Sequence, residues 1–220
     1  MTLCIPRATL LAGLALLCLP ACGGDAPTIS PITPAVAAPA PTAEAPPERT
    51  GVVRRGDRQL TLVGPALAVG AKAPNAPLRG DGFKEVPVDF ADGTVRVVLA
   101  VPSLDTPTCS LETRTFNERA SELSDGIEIL VVSRDLPPAQ ARFCAAHGIE
   151  RVRALSDYLD GSFGRAWGLY IKEIGLLART VIVVDGAGVV QYEQIVENQP
   201  DEPDYDAALA AVKSVVGGGE

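Results

Sequence analysis

The sequence is poor in the side chains that most often carry chemistry. It has one histidine, His147, so His-based metal sites and Ser-His or Cys-His catalysis have almost nothing to draw on. It has no run of lysine and arginine and carries a formal net charge of −8, which argues against nucleic acid as a partner, because phosphate contacts need clustered positive charge. It has no C-x-x-C pair, the usual motif of a thioredoxin-type oxidoreductase. No internal repeat is visible, and 220 residues suit one globular domain with appendages. Chemistry must therefore come from carboxylates, hydroxyls, arginines or thiols, and no cofactor is called for.

The N-terminus has the pattern of a targeting segment. Arg7 precedes the apolar run "ATLLAGLALLCLP" at 8–20, which is short for a membrane span and right for the central region of a signal peptide. The run ends in "LPACGG", which resembles a bacterial lipoprotein lipobox, with small Ala21 before Cys22 as the expected lipid acceptor. Pro20 is unusual there, and the simpler alternative is a plain signal peptide or anchor with an incidental cysteine. The stretch from 22 to 48 is rich in Pro and Ala and nearly free of large apolar residues, so it reads as an extended, disordered tether. The expected organisation is a leader at 1–21, a tether at 22–48 and a folded domain at 49–220. Such a protein is exported and held on a membrane through Cys22, facing the periplasm or the cell exterior.

This organisation changes the cysteine count. Of five cysteines, Cys4 and Cys18 leave with the leader and Cys22 is acylated, so Cys109 and Cys144 remain as free thiols. In an oxidising compartment two thiols suggest a disulfide. Spacing and compartment alone favour a structural staple.

The pattern of the domain argues the other way. "VVRRGDRQLTLV" at 52–63 has apolar alternation on either side of the turn dipeptide Gly56-Asp57 and predicts a hairpin. β-Branched runs at 95–103, 127–135 and 180–196 predict strands, the last split by a turn at Asp185 to Gly188. Helices are predicted over 109–124, with Leu111, Thr115, Phe116, Ala120 and Leu123 on one face, over 137–148, which opens on prolines and closes on glycine, and over 204–216. The order is that of an α/β sandwich of thioredoxin-like type, with a central mixed β-sheet flanked by helices and an N-terminal β-hairpin. In such a fold the loop after the 95–101 strand lies at the carboxyl edge of the sheet, where helix N-termini collect and ligands bind. Cys109 is then placed in a first helical turn, beside unpaired N–H groups and the positive end of the dipole. A nucleophilic cysteine benefits from that placement and a structural one does not.

At this point the residues resemble a known family. "PSLDTPTC" at 102–109 fits the P-x-x-x-T-x-x-C motif of peroxiredoxins, and "SRDLPPAQARFC", "LLARTVIVVD" and "EPDYDAALAAVK" are similar to segments of bacterial thiol peroxidases, the atypical two-cysteine peroxiredoxins. The resemblance runs from about Gly51 to about Lys213 and leaves out the leader. It implies that Cys109 is the peroxidatic cysteine, Cys144 the resolving cysteine, and Pro102, Thr106 and Arg179 the remaining site residues. Thr106 is expected to place its hydroxyl near both the thiolate and the peroxide, Arg179 to supply a fixed charge, and Pro102 to restrict the loop and shield the reactive sulfur from water. Two departures bear on the pocket: Thr108 replaces a more usual apolar residue, and Pro138 stands where an aromatic is common. The segment 168–177 is weakly patterned, and no substrate contact is assigned there; Phe163 and Trp167 fit core and groove equally well.

The resemblance further implies alkyl and lipid hydroperoxides and hydrogen peroxide as substrates, a thioredoxin-like reductant, no cofactor, and a homodimer. Two alternatives stand beside it. One is a membrane-anchored binding lipoprotein with an inert disulfide, and the other a redox sensor that uses the same thiol chemistry to signal.

Overall fold

The computed structural model describes residues 45–217 apart from Asp125. The leader, Cys22 and nearly all of the tether lie outside the described residues. The first two strands, β1 (Glu48–Arg55) and β2 (Arg58–Val63), form the expected hairpin, with Arg55 paired to Arg58 across the Gly56-Asp57 turn. β1 begins at Glu48, within the stretch read as tether, because Glu48 already pairs with Val63 ahead of an irregularity near Gly51.

A seven-stranded mixed sheet forms the centre. It contains β3 (Leu78–Arg79), β4 (Glu85–Val86), β5 (Arg96–Ala100), β6 (Glu128–Ser133), β7 (Val152–Ser156), β10 (Thr180–Val184) and β11 (Val190–Ile195), in the spatial order β11-β10-β5-β6-β7-β3-β4. The strands β5, β6 and β7 run parallel, and β10 is antiparallel to both β5 and β11. Alternation along each strand sends side chains to two faces. Val97, Leu99 and Val101 face one cluster with Val131 and Val181, while Val98 and Ala100 face another with Val132 and Ile182.

The first cluster is covered by α1 (Pro107–Arg119), α2 (Pro137–His147) and α4 (Tyr205–Gly217), through Phe116, Phe143 and Leu209. The second is closed by the short α3 (Ser162–Ala166), where Phe163 and Trp167 are fully buried core residues and not groove residues. The paired strands β8 (Tyr170–Ile171) and β9 (Leu176–Leu177) extend the N-terminal hairpin into a second sheet, β1-β2-β8-β9.

The structure corrects the expected face of α1. Leu111 is exposed and Thr115 half-buried, and the fully buried positions near the start are Cys109, Glu112 and Thr113. The helix begins at Pro107, two residues before the expected start. Its inward face is polar at this end because it meets a buried arginine, which a pattern of apolar spacing does not register. The strands β3, β4 and β7 and the helix α3 were also absent from the sequence-based expectation.

Candidate active site

Strand register assembles the site. Thr180 pairs with Ala100, so the first residue before β10, Arg179, lies beside the carboxyl end of β5, where the loop to Cys109 starts. Cys109 is the third residue of α1, after Pro107 and Thr108, and Ser110 makes the first intrahelical bond, to Thr106 O at 3.0 Å. The amides of the first turn have no partner within the helix. Pro107 suits its position because it lacks the N–H that would go unpaired.

Arg179 is buried, with 2% of its surface exposed, despite its charge. Its Nη2 donates to Cys109 Sγ at 3.4 Å, Nη1 donates to Glu112 Oε2, and Nε donates to Gln199 O at 3.1 Å. Its backbone N–H donates to Gln199 Oε1 at 2.5 Å. A planar fork of donors bound on three sides cannot rotate, so its positive charge is fixed against the sulfur. Glu112 and Gln199, which sequence reasoning missed, are what hold it. Glu112 is fully buried one turn beyond Cys109, and its Oε1 has no hydrogen-bond partner. Burial pushes its carboxyl up to about 7 against the opposing pull of Arg179. The C-x-x-E spacing was readable in the sequence, but nothing in it indicates that Glu112 faces inward.

The other predicted residues converge on the same place. Pro102, Thr106 and Arg179 line a cleft of about 200 Å³ with Gln199 and Pro200. Cys109 is completely buried and touches the cleft through Arg179. Thr106 Oγ1 donates to Ser103 O at 3.0 Å, which leaves its lone pairs free to accept a proton donor from the cleft. Thr108, the polar departure, donates its hydroxyl to Pro200 O at 3.1 Å, so that polarity is satisfied within the protein. Pro138 is exposed in the first turn of α2 and does not line this cleft.

An apolar wall comes from Leu60 of β2 and from Ile171, Ile174 and Leu176 of the β8–β9 hairpin, and Arg55 also lines the cleft. The three residues of that hairpin come from the weakly patterned segment 168–177, to which no substrate contact was assigned. Two-residue strands leave too little alternation to read.

Cys144 lies on α2, half-buried and packed against the edge of the core that contains Cys109, and both thiols are free. Burial, and then the carboxylate of Asp81, push the Cys144 thiol up. Its carbonyl accepts the N–H groups of Gly148 and Ile149, which close the last turn of α2, with Gly148 in the left-handed conformation at φ 62°. Among the described residues no cluster of His, Cys, Asp and Glu has the form of a metal site.

A buried thiol beneath an arginine at the start of a helix, on a thioredoxin-like sheet, defines the redoxin class, and residues 68–209 match the family model described as Redoxin. Within that class the chain is 47% identical over 154 residues to a thiol peroxidase of Listeria monocytogenes, covering 70% of this chain and 93% of that protein. It is 42% identical over 157 residues to a thiol peroxidase of Bacillus subtilis, covering 71% and 93%. Among solved structures, a peroxiredoxin-like protein from Aquifex aeolicus superposes with a TM-score of 0.71 at 40% identity over 76% of this chain and 97% of that one. A thiol peroxidase from Chromobacterium violaceum, at 24% identity and TM-score 0.65 over 74% of this chain and 95% of that one, shares the fold. The chain belongs to the redoxin family and, within it, to the thiol peroxidases, peroxiredoxin-type oxidoreductases.

Proposed function

We propose that this thiol peroxidase reduces alkyl hydroperoxides at Cys109 and regenerates through Cys144. The observation that carries the reading is the Arg179 guanidinium, held by Glu112 and Gln199 and donating to Cys109 Sγ at 3.4 Å below a cleft with one apolar wall. In the oxidation step the Cys109 thiolate attacks one oxygen of ROOH and the O–O bond breaks. Cys109 becomes a sulfenic acid, and the departing RO⁻ takes a proton to leave as ROH. Arg179 and the free amides of the first helical turn stabilise the developing negative charge, while Thr106 Oγ1 accepts the peroxide O–H and Pro102 screens the sulfur from water.

In the second step the Cys144 thiolate attacks the sulfenic sulfur and displaces hydroxide, which leaves as water, giving the disulfide. Closing that bond requires Cα atoms about 4.4–6.8 Å apart. The last turn of α2, closed at the Cys144 carbonyl by the Gly148 and Ile149 N–H groups and joined to α1 through Asn117, is the segment that opens. An external dithiol protein of thioredoxin type then reduces the disulfide and is itself oxidised.

The apolar wall favours alkyl and lipid hydroperoxides, with hydrogen peroxide accepted as a smaller substrate. Lipidation at Cys22 would hold the enzyme on a membrane outside the cytoplasm, where the reductant must also lie; Cys22→Ala is then expected to release it from the membrane fraction. The expected assembly is a homodimer. The test of the activity is steady-state consumption of cumene hydroperoxide with a thioredoxin-like dithiol as donor. Wild type consumes it and Cys109→Ser does not; equal consumption by both would remove Cys109 from the chemistry.

A further inference from the structure

Three consecutive residues at the end of β6, the last of the strand and the two that follow it, hold different parts of the site. Ala100 pairs with Val132, so Ser133, Arg134 and Asp135 emerge beside the loop that leads to Cys109. Asp135 accepts Ser103 Oγ at 2.7 Å and the Leu104 N–H at 2.8 Å, fixing that loop. Ser133 Oγ accepts Gln140 Nε2 of α2 at 2.9 Å.

Arg134, between them, has no role in the chemistry described so far. Its guanidinium donates to three backbone carbonyls, those of Asp157 at 3.2 Å, Tyr158 at 2.9 Å and Gly175 at 2.8 Å. It also lies over the Tyr170 ring, 5.2 Å from the centroid. It makes no ion pair among the described residues, so its donors are committed to backbone. A planar fork suits three acceptors in fixed directions, which a lysine ammonium on a flexible stem does not reproduce.

The Gly175 carbonyl is the point of leverage. Gly175 sits in the turn between β8 and β9 with φ 67°, flanked by Ile174 and Leu176, both on the apolar wall of the cleft. One side of this turn is tied to β2, where the Glu173 carboxylate accepts the Thr61 N–H and the Lys172 N–H donates to Thr61 O at 2.9 Å. The other side is tied to the central sheet through Arg134. The wall is therefore set relative to Cys109 by a connection that starts at the same strand end as the clamp on the Cys109 loop.

We propose that Arg134 is a positioning residue that sets the preference for bulky alkyl hydroperoxides over hydrogen peroxide, by fixing the Gly175 turn and with it Ile174 and Leu176. This rests on the reading of the cleft as the peroxide site. Hydrogen peroxide is too small to use the wall and needs only the groups around the sulfur. Asp135 acts on the loop and so affects both substrates alike.

The test compares second-order rates of Cys109 oxidation by cumene hydroperoxide and by hydrogen peroxide in the reduced protein. In Arg134→Gln the ratio of the two rates should fall on the order of tenfold, the low end of what an apolar pocket contact contributes to discrimination. Ile174→Ala, at an exposed position that does not threaten the fold, should lower the ratio in the same direction. Adding Arg134→Gln to Ile174→Ala should then lower it further by less than Arg134→Gln does alone, because part of the effect of Arg134 runs through Ile174 and the rest through Leu176. Asp135→Asn should slow both substrates and leave the ratio alone.

An unchanged ratio in Arg134→Gln, or fully additive effects in the double variant, would overturn the proposal. If Arg134→Gln does not fold, Arg134→Lys and its combination with Ile174→Ala are read by the same criteria. A wild type that fails to consume cumene hydroperoxide contradicts the reading of the cleft itself, an outcome separate from a normal wild type whose variants keep its ratio.

Discussion

Replacing Arg179 by methionine separates the two tasks the arginine performs. Glu112 is fully buried, its Oε2 accepts from Arg179, and its Oε1 has no partner. Methionine offers neither charge nor donor, so the carboxyl would be left alone in the interior. Breaking a buried ion pair from one side costs about 3–5 kcal/mol, out of a total stability of about 5–15 kcal/mol for a domain. Burial already holds the Glu112 carboxyl up at about 7, so taking up a proton is an easy escape and the loss should fall at the lower end of that range.

Removing both partners in Arg179→Met/Glu112→Leu replaces the pair with apolar side chains, which should restore most of the stability. Activity should not return. Losing one preorganised donor at a developing negative charge slows reaction by about 10²–10³-fold. Urea unfolding gives the stability and rapid mixing with cumene hydroperoxide gives the rate. A single variant as stable as wild type, or a double variant no more stable than the single, would refute the claim that Glu112 depends on Arg179. A double variant oxidised at the wild-type rate would refute the catalytic role of the arginine.

Glu112→Gln should flatten one part of the pH dependence of stability. The carboxyl rises from an ordinary 4.5 to about 7 on folding, so the folded state holds the proton more tightly; its stabilisation is complete below 4.5 and is lost as pH rises through about 7. The wild-type Tm should therefore fall relative to that of the variant across this window, and parallel curves would contradict the assignment. Gly148→Ala should lower stability by about 1–2 kcal/mol, the cost of a left-handed backbone for an L side chain, seen as a lower urea midpoint. No atom would obstruct the new methyl group, so only the left-handed backbone carries the cost, and an unchanged midpoint would show that α2 ends differently. In a Cys109→Ser background, Asp81→Asn should speed alkylation of Cys144 at mildly alkaline pH, because the Asp81 carboxylate contributes to pushing that thiol up; equal rates would remove Asp81 from its surroundings.

The parts of the fold legible in the sequence were those long enough to show a period. The β1–β2 hairpin, the buried runs of β5, β6 and β10 and the helix α4 each carry five or more residues of consistent pattern, while the turn before β11 and the ends of α2 were legible from their glycines and prolines. β7 was missed because Arg153 and Ala154 interrupt its apolar residues, and α3 and the β8–β9 pair are too short for periodicity. The site divides in the same way. Cys109, Thr106 and Pro102 lie within one short motif, and Arg179 precedes a recognisable strand. Glu112 carries no signal of its own in the sequence, since a charge among polar neighbours normally faces solvent, and only the buried guanidinium opposite reverses that. Gln199 holds Arg179 across twenty residues through its amide oxygen and its own carbonyl, and Arg134 donates to backbone carbonyls distant in sequence, contacts that leave no local pattern.

The most direct test of the central claim is rapid mixing of the reduced protein with one equivalent of cumene hydroperoxide, following intact mass and free thiols in wild type, Cys109→Ser and Cys144→Ser. The account predicts fast loss of both thiols in wild type, a sulfenic acid trapped in Cys144→Ser, and no fast reaction in Cys109→Ser. Slow oxidation that is insensitive to which cysteine remains would contradict it, leaving a redoxin fold whose two cysteines serve only as a staple.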